Sequence, residues 1–266
     1  MRPFLKWAGN KYKLMSRISA VLPDGRRLVE PFVGSGAVFL NTEFPAYRLA
    51  DANPDLINLY RTLQREGQSF IDDCRRYFTP AYNAPEAYYA LRARFNETTD
   101  IRLRALLFVY FNRHGYNGLC RYNAGGKFNV PFGRYARPYF PEREMLEFHR
   151  KSARAEFIHA SFETIMRSVI YGDVVYCDPP YVPLSGTAHF TAYSPAKFGL
   201  DEQRALAREA ERLSAHGIPV VISNHHTEFT QRVYRAADVT TFDVRRNISC
   251  DSANRNKVTE LLAVFA

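Results

Sequence analysis

A short apolar strand, a glycine-bearing turn, a helix and a second strand ending in an acid follow one another near the start of this chain. Residues 27–30 read as the first strand and run into Pro31-Phe32-Val33-Gly34-Ser35-Gly36. Residues 37–41 read as helical, and 47–50 read as a strand that ends at Asp51. Between a strand and a helix, glycines let the backbone bend tightly and come close to a ligand at the carboxyl edge of a sheet. The alternation resumes with strands at 156–159 and 174–177, a helix at 201–216 and a strand at 219–223. In that helix Leu206, Ala210 and Leu213 share one face, Asp201 is the expected N-cap and Gly217 the expected C′ residue. Residues 239–243 and 261–265 form an expected final strand pair. Strands alternating with helices predict an α/β fold built on a doubly wound, Rossmann-like sheet.

The texture between these two halves differs. Ahead of the first strand, residues 11–22 form an expected amphipathic helix on Leu14, Ile18, Val21 and Leu22, stopped by Pro23-Asp24-Gly25. From residue 54 to about 143, aromatics and arginines are dense. Residues 101–111 are apolar on nearly every side, which predicts a buried helix. Beyond it, a turn at Asn123-Ala124-Gly125-Gly126 and an expected return strand at 127–130 predict a β-hairpin. The reading is therefore a sheet domain, 1–53 and 144–266, interrupted by an inserted helical and β-hairpin domain, 54–143.

The chain has 266 residues, room for one such domain with an insertion, and no apolar run near the roughly 20 residues needed to cross a bilayer. The N-terminus has no long apolar core, so no signal peptide is expected. Cys74, Cys120, Cys177 and Cys250 are scattered without a Cys-x-x-Cys pair, which argues against zinc or a disulfide framework and for the cytoplasm. The formal charge of +9 suggests a polyanionic partner, nucleic acid first, although a basic protein with no such partner has the same charge.

Two motifs carry chemistry. Asp51, closing a strand beside the glycine turn, can accept hydrogen bonds from two ribose hydroxyls. A pyrophosphate site wants Gly-x-Gly-x-x-Gly, but Gly34-x-Gly36 is followed by Phe39. The missing glycine favours a nucleoside without phosphate, and S-adenosylmethionine fits; a glycine turn with no ligand is the competing reading. Asp178-Pro179-Pro180-Tyr181 ends the apolar strand at 174–177. A carboxylate, two prolines and a ring can hold a planar amine between a hydrogen-bond acceptor and a stacking face.

Phe4-Leu5-Lys6-Trp7-Ala8-Gly9-Asn10-Lys11, Glu30-Pro31-Phe32-Val33-Gly34-Ser35-Gly36, Asp51-Ala52-Asn53 and Asp178-Pro179-Pro180-Tyr181 occur in that order. The whole resembles the Dam family of DNA adenine-N6 methyltransferases, in its α arrangement of motifs. The resemblance implies that Trp7, Lys11, Asp51 and Asp178 contact S-adenosylmethionine, alongside the turn residues Phe32, Gly34 and Gly36. The family often has glycine where Asn10 stands, and Asn tolerates left-handed backbone, so the loop is expected to survive. Catalysis falls to Asp178, Pro179, Pro180 and Tyr181. The Asp178 carboxylate and the Pro179 carbonyl would draw the adenine amine toward tetrahedral geometry, while Tyr181 stacks on a base taken out of the helix.

The hairpin region, 113–137, would meet double-stranded DNA. Tyr116 could wedge between base pairs while Asn117 holds a displaced base. By resemblance, Leu119, Arg121 and Pro131 read base edges with help from Lys6, within GATC. Arg92, Arg113, Asn129, Arg134 and Arg137 fit phosphate contacts. Singly, each arginine is better read as a solvated charge; the cluster shifts the balance. Cys177 lies in an apolar strand and is read as inert, and His225-His226 as loop histidines without a metal. Residues 189–194 are either a flap or a simple loop, and Arg245-Arg246-Asn247 either touch phosphate or face solvent. Cytosine-N4 methylation and a silent DNA-binding protein are the competing functions, and a monomer is expected.

Overall fold

The computed structural model describes residues 1–182, 198–245 and 257–266. The expected flap at 189–194 and Arg246 and Asn247 lie outside the described residues. The strands are β1 (Arg27–Glu30), β2 (Ala46–Asp51), β3 (Ala155–His159), β4 (Asp173–Cys177), β5 (Val220–His225), β6 (Asp238–Arg245) and β7 (Lys257–Phe265). The helices are α1 (Met15–Val21), α2 (Ala37–Asn41), α3 (Pro54–Glu66), α4 (Gln68–Arg75), α5 (Pro85–Glu97), α6 (Ile101–His114), α7 (Glu142–Ser152), α8 (Phe162–Arg167), α9 (Leu200–Ser214) and α10 (Glu228–Val233).

The strands form one sheet in the order β3-β2-β1-β4-β5-β7-β6. The five strands from β3 to β5 are parallel, and β7 runs antiparallel to both β5 and β6. β4 and β5 are buried at every position, as expected of parallel strands covered on both faces. Successive side chains divide between the two faces. Leu28, Val174, Tyr176, Val221 and Leu262 enter one core with α3, α6 and α7. Val29, Val175, Cys177, Val220, Ile222 and Leu261 enter a second with α8 and α9. This strict alternation is the period-2 rule of a strand, and it sandwiches the sheet between two helical layers. Strand order reverses between β1 and β4, so the crevice outside their carboxyl ends is where such a sheet binds ligands.

Several details differ from the sequence expectations. The helix expected over 11–22 divides into a 3₁₀ turn, Lys11–Leu14, and α1. Asn10 does not adopt left-handed backbone; its φ is −51° and its side chain caps the turn by accepting from the Tyr12 N–H. Gly9 takes the positive φ instead. The N-cap of α9 is Gly199 and not Asp201, because the Glu202 carboxylate reaches back to the Gly199 N–H at 2.7 Å. Gly217 does take the left-handed conformation past the helix end, at φ 70°.

The hairpin is present as two isolated antiparallel bridges, Gly115 with Phe132 and Tyr122 with Phe128, in place of a continuous ladder. The expected return strand at 127–130 is not regular because α5 takes its backbone groups. The Asn96 side chain exchanges two bonds with Phe128, and Tyr88 and Arg92 both donate to the Val130 carbonyl. A 3₁₀ turn, Tyr116–Gly118, leads into this arm. Among the described residues no helix is long and apolar enough to cross a membrane.

Candidate active site

The glycine turn between β1 and α2 is pinned from three directions. The Val33 N–H bonds the Ala50 carbonyl at 2.7 Å, so the turn sits directly on the end of β2. The Gly34 N–H donates to Asp51 at 3.1 Å, and Tyr60 from α3 donates its hydroxyl to the Gly34 carbonyl at 2.5 Å. Gly34 and Gly36 have φ of 47° and 71°, a region that side chains disfavour. A Cβ on Gly34 would lie 2.9 Å from the Trp7 indole nitrogen, so the absence of a side chain lets Trp7 lie against the turn. Phe32 points to the other side, its ring stacked 5.5 Å from Phe162 and edge-on to Phe198.

Asp51 accepts from Gly34 through one oxygen and from Asn53 through the other. Burial pushes its carboxyl up to about 6, against the pull of those two N–H groups. Glu30, at the end of β1, is only 2 % exposed and one of its oxygens has no protein partner. Burial drives its carboxyl far above the usual range, opposed by the Phe39 backbone and reinforced by the charge of Asp178.

Asp178 leaves β4 on the same edge. Its Oδ1 is 2.8 Å from the Lys11 ammonium and accepts from Ser223 Oγ at 2.9 Å. Lys11 is buried, donates also to the Gly9 carbonyl and lies 4.6 Å from the centre of the Tyr181 ring. Tyr181 is edge-on to His225 at 4.7 Å and donates to Glu260 at 3.3 Å. Behind the two prolines a buried amide network holds the loop. Gln203 donates to the Pro180 carbonyl at 2.7 Å, and its own oxygen accepts from Asn224 and Tyr234. Asn224 accepts from the Val182 N–H. His225 is thus not a loop histidine: it ends β5, is buried, and binds the Val182 carbonyl. Cys177 belongs to the second core and burial raises its thiol far above the usual range, which leaves it inert.

The arm that follows α6 carries the remaining sequence candidates. Arg121 is exposed and bonds Asn129 through the side-chain oxygen at 2.8 Å. Tyr116 is 51 % exposed, and Asn117 has the left-handed φ of 52° and donates its backbone N–H to the Tyr135 hydroxyl oxygen. Pro131, Arg134 and Arg137 are exposed, and Leu119 is half-buried. The Lys6 ammonium sits 4.2 Å from the Tyr135 ring, with its basicity lowered by burial and then by Arg113. Arg92 is half-buried over Tyr89 and holds Val130.

Arg113 does not join this surface. It is 8 % exposed and donates to the Phe4 carbonyl, and burial lowers its guanidinium to about 10. Its neighbour Asn112, which the sequence reading missed, accepts from the Lys6 N–H and donates to the carbonyls of Lys6 and Gly118. Ser223, Gln203, Asn224 and Tyr60 were missed as well. Only Ser223 carried a signal, as the last residue of the strand expected over 219–223. Among the described residues no group of His, Cys, Asp and Glu could hold a metal ion.

A family model described as D12 class N6 adenine-specific DNA methyltransferase matches residues 7–248. A DNA adenine methylase of Vibrio cholerae serotype O1 is 52% identical over 265 residues, 99% of this chain and 96% of that protein. The DNA adenine methylase of Escherichia coli K12 is 51% identical over 264 residues, 99% of this chain and 95% of that protein. The one from Salmonella typhimurium LT2 is 52% identical over 264 residues, with the same coverage.

Proposed function

Because this chain belongs to the D12 class of N6 adenine-specific DNA methyltransferases, we propose that it methylates adenine within GATC of duplex DNA, on a base turned out of the helix. It is an adenine-specific DNA methyltransferase, and its methyl donor is S-adenosylmethionine. The observation that carries the reading is convergence: Asp178 with Lys11, and Gly34 with Asp51, meet on one carboxyl edge at the point where strand order reverses.

The residues present fit the donor. The carboxylate of Asp51, beside a turn whose Gly34 lets Trp7 lie close, suits a nucleoside, and the absence of a third glycine suits one without phosphate. Trp7, Lys11, Phe32, Gly34, Gly36, Asp51 and Asp178 would hold it. When bound, S-adenosylmethionine supplies an electrophilic sulfonium methyl. The chain's own contribution is to make the amine nucleophilic. Lys11 and Ser223 both engage Oδ1 of Asp178, so Oδ2 is assigned to one amine hydrogen and the Pro179 carbonyl to the other. Paired acceptors localise the nitrogen lone pair, and their fixed positions lower the cost of reaching the transition state. Gln203, through Pro180, keeps that carbonyl-bearing loop from relaxing. Tyr181, steadied by His225 and Glu260, offers a face for the extruded base.

In this reading residues 54–143 recognise the target, and 1–53 with 144–266 bind the cofactor and carry the chemistry. Leu119, Arg121, Pro131 and Lys6 read base edges, Tyr116 and Asn117 manage the opened base pair, and Arg92, Asn129, Arg134 and Arg137 meet phosphates. Arg113 works from inside, tying α6 to the N-terminal loop. One chain supplies every assigned group, so a monomer suffices. The test is transfer of labelled methyl to duplexes with and without GATC, followed by nucleoside analysis. N6-methyladenine confined to GATC duplexes is expected, and Asp178→Ala should abolish transfer while retaining DNA binding. Transfer at wild-type rate by Asp178→Ala, or equal labelling of duplexes lacking GATC, would refute the reading.

A further inference from the structure

The arm that presents Arg121 is bolted to the turn that presents Asp51. Residues along it alternate. Cys120 is 4 % exposed and Tyr122 is half-buried, while Arg121 between them is exposed. Both inward residues land on the segment that follows Asp51. The Asn53 side chain donates to Cys120 Sγ at 3.4 Å, and the Tyr122 hydroxyl donates to Asp55 at 2.6 Å. Asn53 is also the N-cap of α3, accepting from the N–H groups of Asp55 and Leu56, and its own N–H holds Asp51.

Asp55 has no freedom to follow the arm. It is 4 % exposed, and Arg104 of α6 grips both of its oxygens at 2.7 and 2.8 Å. Arg104 is itself tied to the Phe95 carbonyl at 2.7 Å. Burial first, and the Asp55 carboxylate beside it, raise the Tyr122 phenol well above its ordinary range, in keeping with its role as the donor. A phenol–carboxylate bond of this length is charge-assisted and directional. Tyr122 also closes the arm's outer bridge by pairing with Phe128, one residue before the Asn129 that holds the Arg121 guanidinium. The position of Arg121 is thus defined from the rear by Tyr122 and from the side by Asn129.

We propose that Tyr122 and Asp55 are positioning residues for target discrimination, fixing Arg121 against the frame that also carries Asp51. The proposal rests on the assignment of Arg121 to base reading. A bidentate arginine contact discriminates only while its fork is held in register with the base edge. Loosening its mount should cost discrimination before it costs affinity for DNA.

The test is a double-mutant cycle on the full chain with Tyr122→Phe, Arg121→Ala and the double variant. Tyr122→Phe removes one oxygen and keeps the ring that packs on Phe128; its thermal midpoint verifies folding. For each protein kcat/KM is measured on a GATC duplex and on duplexes altered at one base, and binding of a non-specific duplex is followed by anisotropy. Tyr122→Phe should lower the discrimination ratio by roughly fivefold or more with non-specific binding unchanged. In the Arg121→Ala background the same change should lower it no further. If Tyr122→Phe slows all duplexes equally, or adds its full effect to that of Arg121→Ala, Tyr122 does not act through Arg121 and the proposal falls. If Arg121→Ala relaxes discrimination and Tyr122→Phe does not, the proposal alone falls. Unchanged discrimination in Arg121→Ala removes the base-reading assignment first and the proposal with it.

Discussion

Gly34→Ala adds a single methyl group at a point where the backbone cannot yield. The Gly34 N–H is held by Asp51, its carbonyl by Tyr60, and its φ of 47° lies where an L side chain costs about 1–2 kcal/mol. The new Cβ would stand 2.9 Å from Trp7 Nε1 and 3.2 Å from Trp7 Cδ1. Forced overpacking adds about 1–3 kcal/mol, toward the lower end here because Trp7 is half-buried and can swing outward. The sum, about 2–4 kcal/mol, corresponds to a fall of roughly 5–10 °C in thermal midpoint for a chain of this size. Trp7 is the one tryptophan in the sequence, so its emission reports the displacement without ambiguity. A red shift without any ligand present, and S-adenosylhomocysteine affinity weaker by about tenfold in calorimetry, should accompany the lower midpoint. An unchanged midpoint together with an unchanged Trp7 emission would show that the glycine is not required by the close approach of the indole, and this account of the turn would have to be abandoned.

Three further outcomes concern charge. Burial sets the Asp51 carboxyl at about 6, and in the proposed role its ionised form is the one that accepts ribose hydroxyls. Cofactor affinity, titrated through Trp7, should therefore be level above pH 6 and fall about tenfold per unit below it in the native chain but not in Asp51→Asn; a level profile down to pH 5 in the native chain would exclude the role. Folding shows the opposite trend, because the folded chain holds this proton more tightly than the unfolded one. The contribution of Asp51 to stability is complete below about pH 4 and is lost as pH rises through 6, which comparison of melting curves with Asp51→Asn will expose. Lys11→Met strips Asp178 of the cation 2.8 Å from its Oδ1. Methyl transfer should then fall by about tenfold or more while DNA binding is retained, and an unchanged rate would mean that Lys11 does not hold this carboxylate in place.

What the sequence displayed and what it concealed divide along physical lines. The run from β1 through the glycine turn to Asp51 was legible because its determinants are local: an apolar strand, two glycines, a helical stretch and an acid at a strand end. The Lys11–Asp178 pair was not. Asp178 follows β4 whereas Lys11 lies in the 3₁₀ turn before α1, and nothing near either residue announces that the fold brings them together. The same holds for Ser223, whose place beside Asp178 follows from β5 lying next to β4. Arg113 is the more instructive case, since its surroundings in the sequence point to a surface while its position in a helix points to the core. It lies four, three and seven residues beyond Val109, Tyr110 and Leu106, all buried, so continuing the apolar helix by one turn puts it inside. Helical period should have outweighed the basic composition of the segment that follows. The buried turn matters because α6 runs straight into the arm: Asn112 and Arg113 hold the N-terminal loop that carries Trp7 and Lys11, while Arg104 of the same helix holds Asp55 and, through it, Tyr122. A single helix therefore ties the N-terminal loop to the arm, the two segments proposed to meet cofactor and base. Such a geometry cannot be assembled from motifs taken one at a time, however specific each of them is.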